Sequence, residues 1–273
     1  MSDPATFSVP VPGATLHCER QGDGPLLLMI AGGLGDAGYY TSVAERLADA
    51  YEVVAYDRRG NSRSPLDGDP YMVRIEEQCA DALAVIEACG RDRAFVFGNS
   101  SGAIIALELA IRHPQAVAGV IAHEPPLVGV LDDAERWRGF MDEVVAQARR
   151  EGAMAAFGTF ASEIGQPEEP VRTPELMARL AGNFDFLLQY EMGPFAHFDV
   201  DLEALRESGV PVVLGGGDGS VGRFYYRPAE EIAQRLGARF ATFPGHHNGY
   251  LDEPDEFAAV IRAELERLGA AVA

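Results

Sequence analysis

Short apolar segments alternate with helix-like segments along most of this 273-residue chain, and this alternation constrains the fold more than any other feature. The apolar segments lack the polar alternation of a half-exposed strand, which is typical of strands buried on both faces of a parallel sheet. They lie at 25–33, 51–60, 93–100, 116–126, 210–217 and 238–245. Helical patterns lie between them, at 41–50, 74–90, 101–113, 228–236 and 255–268. The alternation predicts βαβ units and a doubly wound α/β fold with a mostly parallel sheet.

The alternation stops between residues 132 and 206, where the pattern is helical and contains no convincing strand. An insertion after the fourth predicted strand lies over the carboxyl ends of the strands, where open α/β sheets bind their ligands. We therefore predict a core domain formed by residues 1–131 and 207–273. We predict that residues 132–206 form a helical cap, or lid, and we call them the cap segment.

The charge of the chain excludes several classes of partner. Its formal net charge is −20, and all 22 basic residues are arginine. Nucleic acids and anionic membranes require a basic surface, so neither is an expected partner. No window reaches the roughly 18 apolar residues of a membrane span. The first residues lack a secretion signal, which predicts a cytoplasmic protein.

The cysteines predict neither a metal site nor a disulfide framework. Cys18, Cys79 and Cys89 are scattered and odd in number. They do not show the spacing of metal ligands, and free structural thiols are the expectation in a reducing compartment. No other metal-binding motif is present, so we expect no metal and no cofactor.

A candidate nucleophile lies in the sequence GNSSG, residues 98–102. The pattern G-x-S-x-G selects Ser100, because the alternative centre Ser101 would require glycine in place of Asn99. An apolar strand precedes the motif and a helical segment follows it, as a nucleophile on a tight strand-to-helix turn requires. The glycines leave room around a strained backbone.

Three further segments, together with this motif, resemble the α/β-hydrolase family. Residues 31–40 are similar to its oxyanion loop, residues 56–64 to its D-x-R-G-x-G-x-S turn, and residues 245–257 to the stretch that carries its histidine. The resemblance implies the α/β-hydrolase fold, with the cap inserted after the sixth strand of that fold. It also implies acyl transfer to water through a Ser-His-acid triad without a cofactor.

The resemblance places the two oxyanion donors at the backbone N–H groups of Gly33 and Ser101. Leu34 is the alternative to Gly33 if the loop register shifts by one residue. The family spacing from Leu251 and Pro254 selects His247 as the general base, with His246 as the alternative.

The acid is ambiguous, because three glycines in PVVLGGGDGS leave its register open. One register selects Asp218, and another places Ser220 at the usual acid position. Glu124 follows the fourth predicted strand and lies 24 residues after Ser100 (124 − 100), a spacing that resembles a lactone-hydrolysing branch of the family, such as the zearalenone-type lactonases. We therefore favour Glu124 over Asp218. Asp57 is expected to form a structural ion pair with the neighbouring arginines instead.

The predicted activity is hydrolysis of a bulky, mainly apolar carboxylic ester or lactone, since the cap segment is rich in aromatic residues that pack the cap or line an apolar pocket. These residues are Trp137, Phe140, Phe157, Phe160, Phe184, Phe186, Tyr190, Phe195 and Phe198.

The same fold supports other functions. The alternatives are a non-hydrolytic enzyme, such as a C–C bond hydrolase, lyase or cofactor-free oxygenase, and a ligand-binding receptor with a retained triad. A homo-oligomer is compatible with the sequence.

Overall fold

A computed structural model of the chain describes residues 4–164 and 173–272, and one eight-stranded sheet runs through it. The strands are β1 (Ala5–Val11), β2 (Ala14–Gln21), β3 (Leu26–Ile30), β4 (Glu52–Tyr56), β5 (Ala94–Asn99), β6 (Val117–His123), β7 (Val212–Gly217) and β8 (Arg239–Phe243). Their order in the sheet is β1-β2-β4-β3-β5-β6-β7-β8. The pairs β1–β2 and β2–β4 are antiparallel, and every other pair is parallel. The predicted mostly parallel α/β architecture is confirmed.

The six strands expected from apolar runs are present, whereas the hairpin of β1 and β2 was not predicted. In β2 the buried residues Ala14, Leu16 and Cys18 alternate with more exposed ones. Such alternation is typical of a strand near a sheet edge, with one face towards solvent. It gives a weaker signal than the fully buried runs of β3 and β4.

Helices cover both faces of the sheet. Those outside the cap segment are α1 (Thr41–Leu47), α2 (Ile75–Ala88), α3 (Ser101–Arg112), α9 (Arg227–Leu236), α10 (Gly249–Asp252) and α11 (Pro254–Val272). Alternate residues of β3 illustrate the two layers, because successive strand side chains point to opposite faces. Leu28 packs in the cluster that contains α2, α3 and α9, whereas Met29 packs in the cluster that contains α1 and α11.

The described part of the cap segment contains helices and turns but no strand. Its helices are α4 (Ala134–Glu151), α5 (Ala153–Ile164), α6 (Pro174–Phe186), α7 (Met192–Ala196) and α8 (Leu202–Glu207), and a π-helical turn at Leu187–Glu191 joins α6 to α7. Thr173 caps α6 by accepting a hydrogen bond from the Leu176 N–H, with Pro174 in the first turn. The division of the chain into a core domain and a cap domain stays a prediction.

The parallel register brings the ends of neighbouring strands to one level. Asn99, the last residue of β5, is paired with His123, the last residue of β6. The residues that follow, Ser100 and Glu124, therefore leave the sheet side by side. The segment after β8 leaves the same edge, since β6, β7 and β8 are parallel neighbours.

Candidate active site

Ser100 lies at the sharp turn between β5 and α3. Its backbone has φ 57° and ψ −127°, a conformation that is strained for a residue with a side chain. The glycines on either side permit the turn, because other parts of the backbone lie too close to them for a side chain. A Cβ atom on Gly98 would lie 2.3 Å from the Gly102 carbonyl oxygen, and one on Gly102 would lie 2.1 Å from the Ile30 oxygen. The Ser100 N–H donates to the His123 carbonyl at 2.9 Å, which ties the turn to β6.

Ser101 is the first residue of α3, and its N–H therefore has no carbonyl partner within the helix. A free N–H at a helix N-terminus is suited to bind negative charge. Ser101 lines the same cavity as Ser100, Gly33 and Leu34. The structure thus places both predicted oxyanion donors, and the alternative Leu34, around one space.

The His247 ring contacts the Glu124 carboxylate. Nδ1 of His247 lies 2.6 Å from Oε2 of Glu124, and both side chains are buried. The other carboxylate oxygen, Oε1, accepts a hydrogen bond from the Gly217 N–H at 2.8 Å. Because a carboxylate accepts hydrogen bonds, this contact places the ring proton on Nδ1 and leaves Nε2 free to accept a proton.

Glu124 is held ionised in spite of its position. Burial alone would raise the pKa of its carboxyl, but the neighbouring His123 and His247 rings and the Gly217 N–H outweigh burial and lower that pKa. Its backbone is also unusual, with φ 48° directly after β6. A fully buried carboxylate on a strained backbone costs stability, and such residues beside an imidazole are typical of functional sites.

The alternative acid and base lie elsewhere. Asp218 Oδ1 accepts a hydrogen bond from the Gly245 N–H at 3.0 Å. His246 Nδ1 lies 3.0 Å from the Gly219 carbonyl oxygen. Both contacts join the loop after β7 to the loop after β8. The structure therefore brings together His247 and Glu124, whereas Asp218 and His246 hold two loops together.

A cavity of about 110 Å³ lies between the strand ends and the cap segment. Ser100 and His247 both line it, although no hydrogen bond joins their side chains within residues 4–164 and 173–272; such bonds are often long without substrate. The remaining lining residues are Gly32, Gly33, Leu34, Tyr39, Asn99, Ser101, Pro126, Met141, Phe157, Phe160, Leu187, Met192, Phe195, Ala196, Phe224, Tyr225, Asn248 and Tyr250. Apart from His247, the described lining contains no His, Arg, Asp, Glu or Cys side chain.

The cap aromatics divide between lining and packing. Phe157, Phe160 and Phe195 line the cavity. Trp137 instead stacks on Phe224, with ring centroids 4.7 Å apart. The predicted apolar pocket is present, and only part of the aromatic set contributes to it.

A chain of polar side chains behind the nucleophile was not predicted. His123 Nδ1 lies 2.7 Å from Asn99 Oδ1, the Asn99 amide donates to the Tyr250 hydroxyl at 3.3 Å, and that hydroxyl donates to Asn248 Oδ1 at 2.8 Å. Burial lowers the pKa of His123 to about 4, so its ring is neutral at neutral pH. The sequence signal was the polar Asn99 and His123 at the ends of two otherwise apolar strands.

Tyr225 is a further residue that the sequence analysis missed. Its ring centroid lies 4.4 Å from that of His247. Burial raises the pKa of Tyr225 to about 12, which keeps its hydroxyl protonated in the cavity wall. The residue stands in a run of three aromatic residues, Phe224, Tyr225 and Tyr226, and this run was its only signal.

The ion pairs of the 56–64 turn differ from the expected ones. Asp57 was expected to pair with its neighbours Arg58 and Arg59, but it pairs with Arg63, whose Nε lies 2.7 Å from Asp57 Oδ2. Asp57 Oδ1 also accepts from the Ala37 N–H at 2.8 Å. Asp57 is therefore a structural carboxylate, as expected, with a different partner.

The described residues contain neither a candidate metal site nor a helix that could span a membrane. No group of three or more His, Cys, Asp or Glu side chains is arranged to hold a metal ion within residues 4–164 and 173–272. No helix in these ranges combines the length and apolar character that crossing a bilayer requires.

Comparison with known proteins places the chain in a family. Residues 25–187 match the model of the α/β hydrolase fold. The uncharacterised hydrolase YraK of Bacillus subtilis (strain 168) is 35% identical over 268 residues, which cover 94% of each chain. The zearalenone hydrolase of Bionectria ochroleuca is 26% identical over 265 residues, which cover 94% of this chain and 96% of the relative.

The solved structure of a hydrolase from Pseudomonas aeruginosa PA01 has the same fold. It superposes with a TM-score of 0.78 at 22% identity, over 96% of this chain and 98% of that chain. The family model covers more than half of this chain, and YraK matches it over nearly its whole length. The chain therefore belongs to the α/β-hydrolase fold family and is a hydrolase of that superfamily.

Proposed function

We propose that this hydrolase cleaves carboxylic esters or lactones of neutral, mainly apolar substrates through a triad of Ser100, His247 and Glu124. The observation that carries the proposal is the 2.6 Å contact between His247 Nδ1 and Glu124 Oε2, at a cavity that Ser100 also lines. A nucleophile, a base and an acid that orients the base are the parts that serine-dependent acyl transfer requires.

In the proposed mechanism, the Ser100 hydroxyl attacks the substrate carbonyl while Nε2 of His247 takes its proton. Glu124 stabilises the imidazolium that forms and keeps the ring in the correct tautomer. The N–H groups of Gly33 and Ser101 bind the oxyanion. His247 then returns its proton to the leaving alcohol oxygen, and a water molecule hydrolyses the acyl-enzyme by the same steps.

The cavity wall supports a neutral substrate. Phe157, Phe160, Met192 and Leu187 supply apolar surface, and the described lining contains no arginine, aspartate or glutamate. A charged acyl group would lose its hydration without gaining a partner. The name of one relative, zearalenone hydrolase, agrees with the lactone-hydrolysing branch that the position of Glu124 resembles.

A fluorophosphonate probe and a panel of nitrophenyl esters and macrolactones of graded size test the proposal. We expect covalent labelling of the wild-type protein and turnover of neutral apolar members of the panel. Ser100→Ala should abolish both, whereas Ser101→Ala keeps the backbone donor and should retain labelling. Labelling without turnover of any ester or lactone would contradict the proposal and favour a C–C bond hydrolase. Absence of labelling would contradict the serine mechanism itself.

We also infer a cytoplasmic location. The three cysteines are free, and Cys18 and Cys79 are buried. Free cysteines are typical of compartments that keep thiols reduced. Fractionation of the source cells, with the protein followed by an antibody, would check this inference.

A further inference from the structure

Arg58 is fully buried directly beneath the oxyanion loop, residues 31–40. Its guanidinium holds Glu191 bidentately, with Nη1 2.7 Å from Oε1 and Nη2 3.0 Å from Oε2. Nη2 also donates to the carbonyl oxygen of Gly32 at 2.8 Å. Neither Arg58 nor Glu191 has any exposed surface, and neither belongs to the cavity lining. The pair therefore touches the backbone of the loop and not the space that a substrate would occupy.

The contact with Gly32 O acts on the peptide unit that contains the proposed oxyanion donor. The Gly32 carbonyl and the Gly33 N–H belong to the same planar trans peptide, so they point in opposite directions. A hydrogen bond that holds Gly32 O towards Arg58 consequently holds the Gly33 N–H away from Arg58, on the side of the cavity. The positive charge of Arg58, which binds the carbonyl oxygen, also polarises this peptide and makes its N–H a stronger hydrogen-bond donor.

The cap segment supplies the other half of this arrangement. Glu191 ends the π-helical turn Leu187–Glu191, a type of helical defect that is frequent at functional sites. Leu187, at the start of the same turn, packs over Gly33, since a Cβ atom on Gly33 would lie 3.4 Å from Leu187 Cδ1. The same helical turn thus packs on Gly33 through Leu187 and holds, through Glu191, the arginine that binds Gly32 O.

Two contacts from α6 fix the rest of the loop. The Asn183 amide donates to the Leu34 carbonyl at 2.7 Å, and Arg179 Nε lies 2.7 Å from Asp36 Oδ2. These contacts hold the loop in place, but neither touches the Gly32–Gly33 peptide. The Gly35 N–H also donates to Gly32 O, at 3.1 Å, from within the loop. Arg58 is the side chain that binds this oxygen, and its pair with Glu191 thereby helps to set the direction of the Gly33 N–H.

We propose that Arg58 is a positioning residue for the oxyanion hole and that Glu191 of the cap segment holds it in place. Arg58 orients and polarises the Gly33 N–H by binding Gly32 O, and it does not contact the substrate. This inference rests on the proposed serine hydrolase function. It explains why a fully buried ion pair lies behind a glycine loop, where apolar residues could stabilise the protein equally well.

The test is the double variant Arg58→Met/Glu191→Leu, measured with an ester that the wild type hydrolyses. Removal of both charges leaves no unpaired buried ion, so the protein should still fold. The matched control is Arg59→Met/Asp81→Leu, because Arg59 Nε and Asp81 Oδ2 lie 2.6 Å apart in a neighbouring buried pair that does not touch the oxyanion loop. Arg59 also pairs with Glu77, which is partly exposed and keeps Arg74 at 3.5 Å in this control.

We expect kcat to fall about 10- to 100-fold in the Arg58/Glu191 variant, somewhat less than the loss of a whole oxyanion donor. KM should change by less than about threefold, because the pair does not touch the ground-state substrate. Affinity for a trifluoromethyl ketone, which forms an oxyanion on Ser100, should fall by the same factor as kcat. The Arg59/Asp81 control should keep the wild-type kcat, whatever its unfolding temperature.

A third variant keeps the inference testable if the double variant does not fold. Arg58→Lys preserves the buried charge, but one ammonium group cannot hold Glu191 bidentately and bind Gly32 O at once. We expect its kcat to fall in the same direction, by a smaller factor.

The outcomes separate the inference from the proposed function. A wild-type kcat in the variants, beside an active wild type, would overturn the inference alone. Equal losses of kcat in the Arg58/Glu191 and Arg59/Asp81 variants would overturn it as well, because they would indicate a general effect on folding. A wild type that neither hydrolyses esters and lactones nor reacts with the fluorophosphonate would overturn the proposed function and the inference together.

Discussion

Replacement of Glu124 by glutamine should reduce kcat by about 10³- to 10⁴-fold, and the hydrogen bonds of the carboxylate explain why. The Gly217 N–H donates to Oε1 at 2.8 Å, so the amide of a glutamine must place its oxygen there. Its NH₂ group then faces His247 Nδ1 and donates to it. The ring is forced into the tautomer with the proton on Nε2, which cannot accept the proton of Ser100.

The magnitude follows from two contributions. With Nδ1 and Oε2 2.6 Å apart, the centres of the imidazolium and carboxylate charges lie about 4 Å from each other, which corresponds to about 4 kcal/mol at an effective dielectric constant of about 20. A loss of this size in the transition state corresponds to about 10³ in rate. The unfavourable tautomer adds to it, and the sum lies in the range of the serine-protease example, where loss of the acid costs about 10⁴-fold.

The assay is steady-state hydrolysis of a nitrophenyl ester by Glu124→Gln and by Asp218→Asn, with near-ultraviolet circular dichroism to verify folding. Asp218→Asn should retain most of the activity, since Asp218 contacts the Gly245 N–H instead of the histidine. A kcat of Glu124→Gln within tenfold of the wild type, or a larger loss in Asp218→Asn, would refute the assignment of the acid.

Three further predictions concern strain, pH and close packing. Ser100→Gly should raise the free energy of unfolding by about 1 kcal/mol while it abolishes hydrolysis, because glycine tolerates φ 57° without strain. Urea denaturation measures this change, and Ser101→Gly, within helix α3, should instead lower the stability. Lowering the pH from about 6.5 to 4 should reduce the free energy of unfolding by about 3 kcal/mol. The cause is His123, whose pKa of about 4 in the folded protein lies below the ordinary 6.5, so that the unfolded chain binds more protons in this pH range. This part of the pH dependence should be absent from denaturation curves of His123→Gln. Gly98→Ala should lower both kcat and the thermal unfolding midpoint, because its Cβ would lie 2.3 Å from Gly102 O. The control is Gly139→Ala in helix α4, which has open space around it and should stabilise the fold by up to about 1 kcal/mol. An unaffected midpoint in Gly98→Ala would show that the turn relaxes more easily than its packing indicates.

The strands of the sheet centre could be predicted because a strand buried on both faces is apolar at every position. Strand β3, Leu26–Ile30, is an example in which all residues are buried. The hairpin of β1 and β2 could not be found in this way, since β2, the neighbour of the edge strand β1, alternates and includes charged residues such as Glu19 and Arg20. Edge strands resemble loops in composition, and only their pairing identifies them.

The candidate site could be predicted only as far as local spacing reaches. Ser100 and His247 follow from motifs within a few residues of each of them. The choice between Glu124 and Asp218 remained open because the three glycines from 215 to 217 blur the end of β7, and the contact with His247 spans 123 residues of sequence. The Arg58–Glu191 pair spans 133 residues and has no local signal at all. Interactions of this kind follow from tertiary packing.

The position of Glu124 directly after β6 has a consequence for how the substrate range of such a hydrolase can diverge. The segment after β7 carries Phe224 and Tyr225, which line the cavity, but it carries none of the groups that are proposed to transfer the proton. Substitutions at residues 221–224 can reshape the cavity wall for a new acyl group, because the contacts that hold the loop of His247 come from Asp218 and Gly219. The distance between base and acid is then kept by β6 and β8. Directed evolution for altered selectivity should therefore begin with residues 221–224.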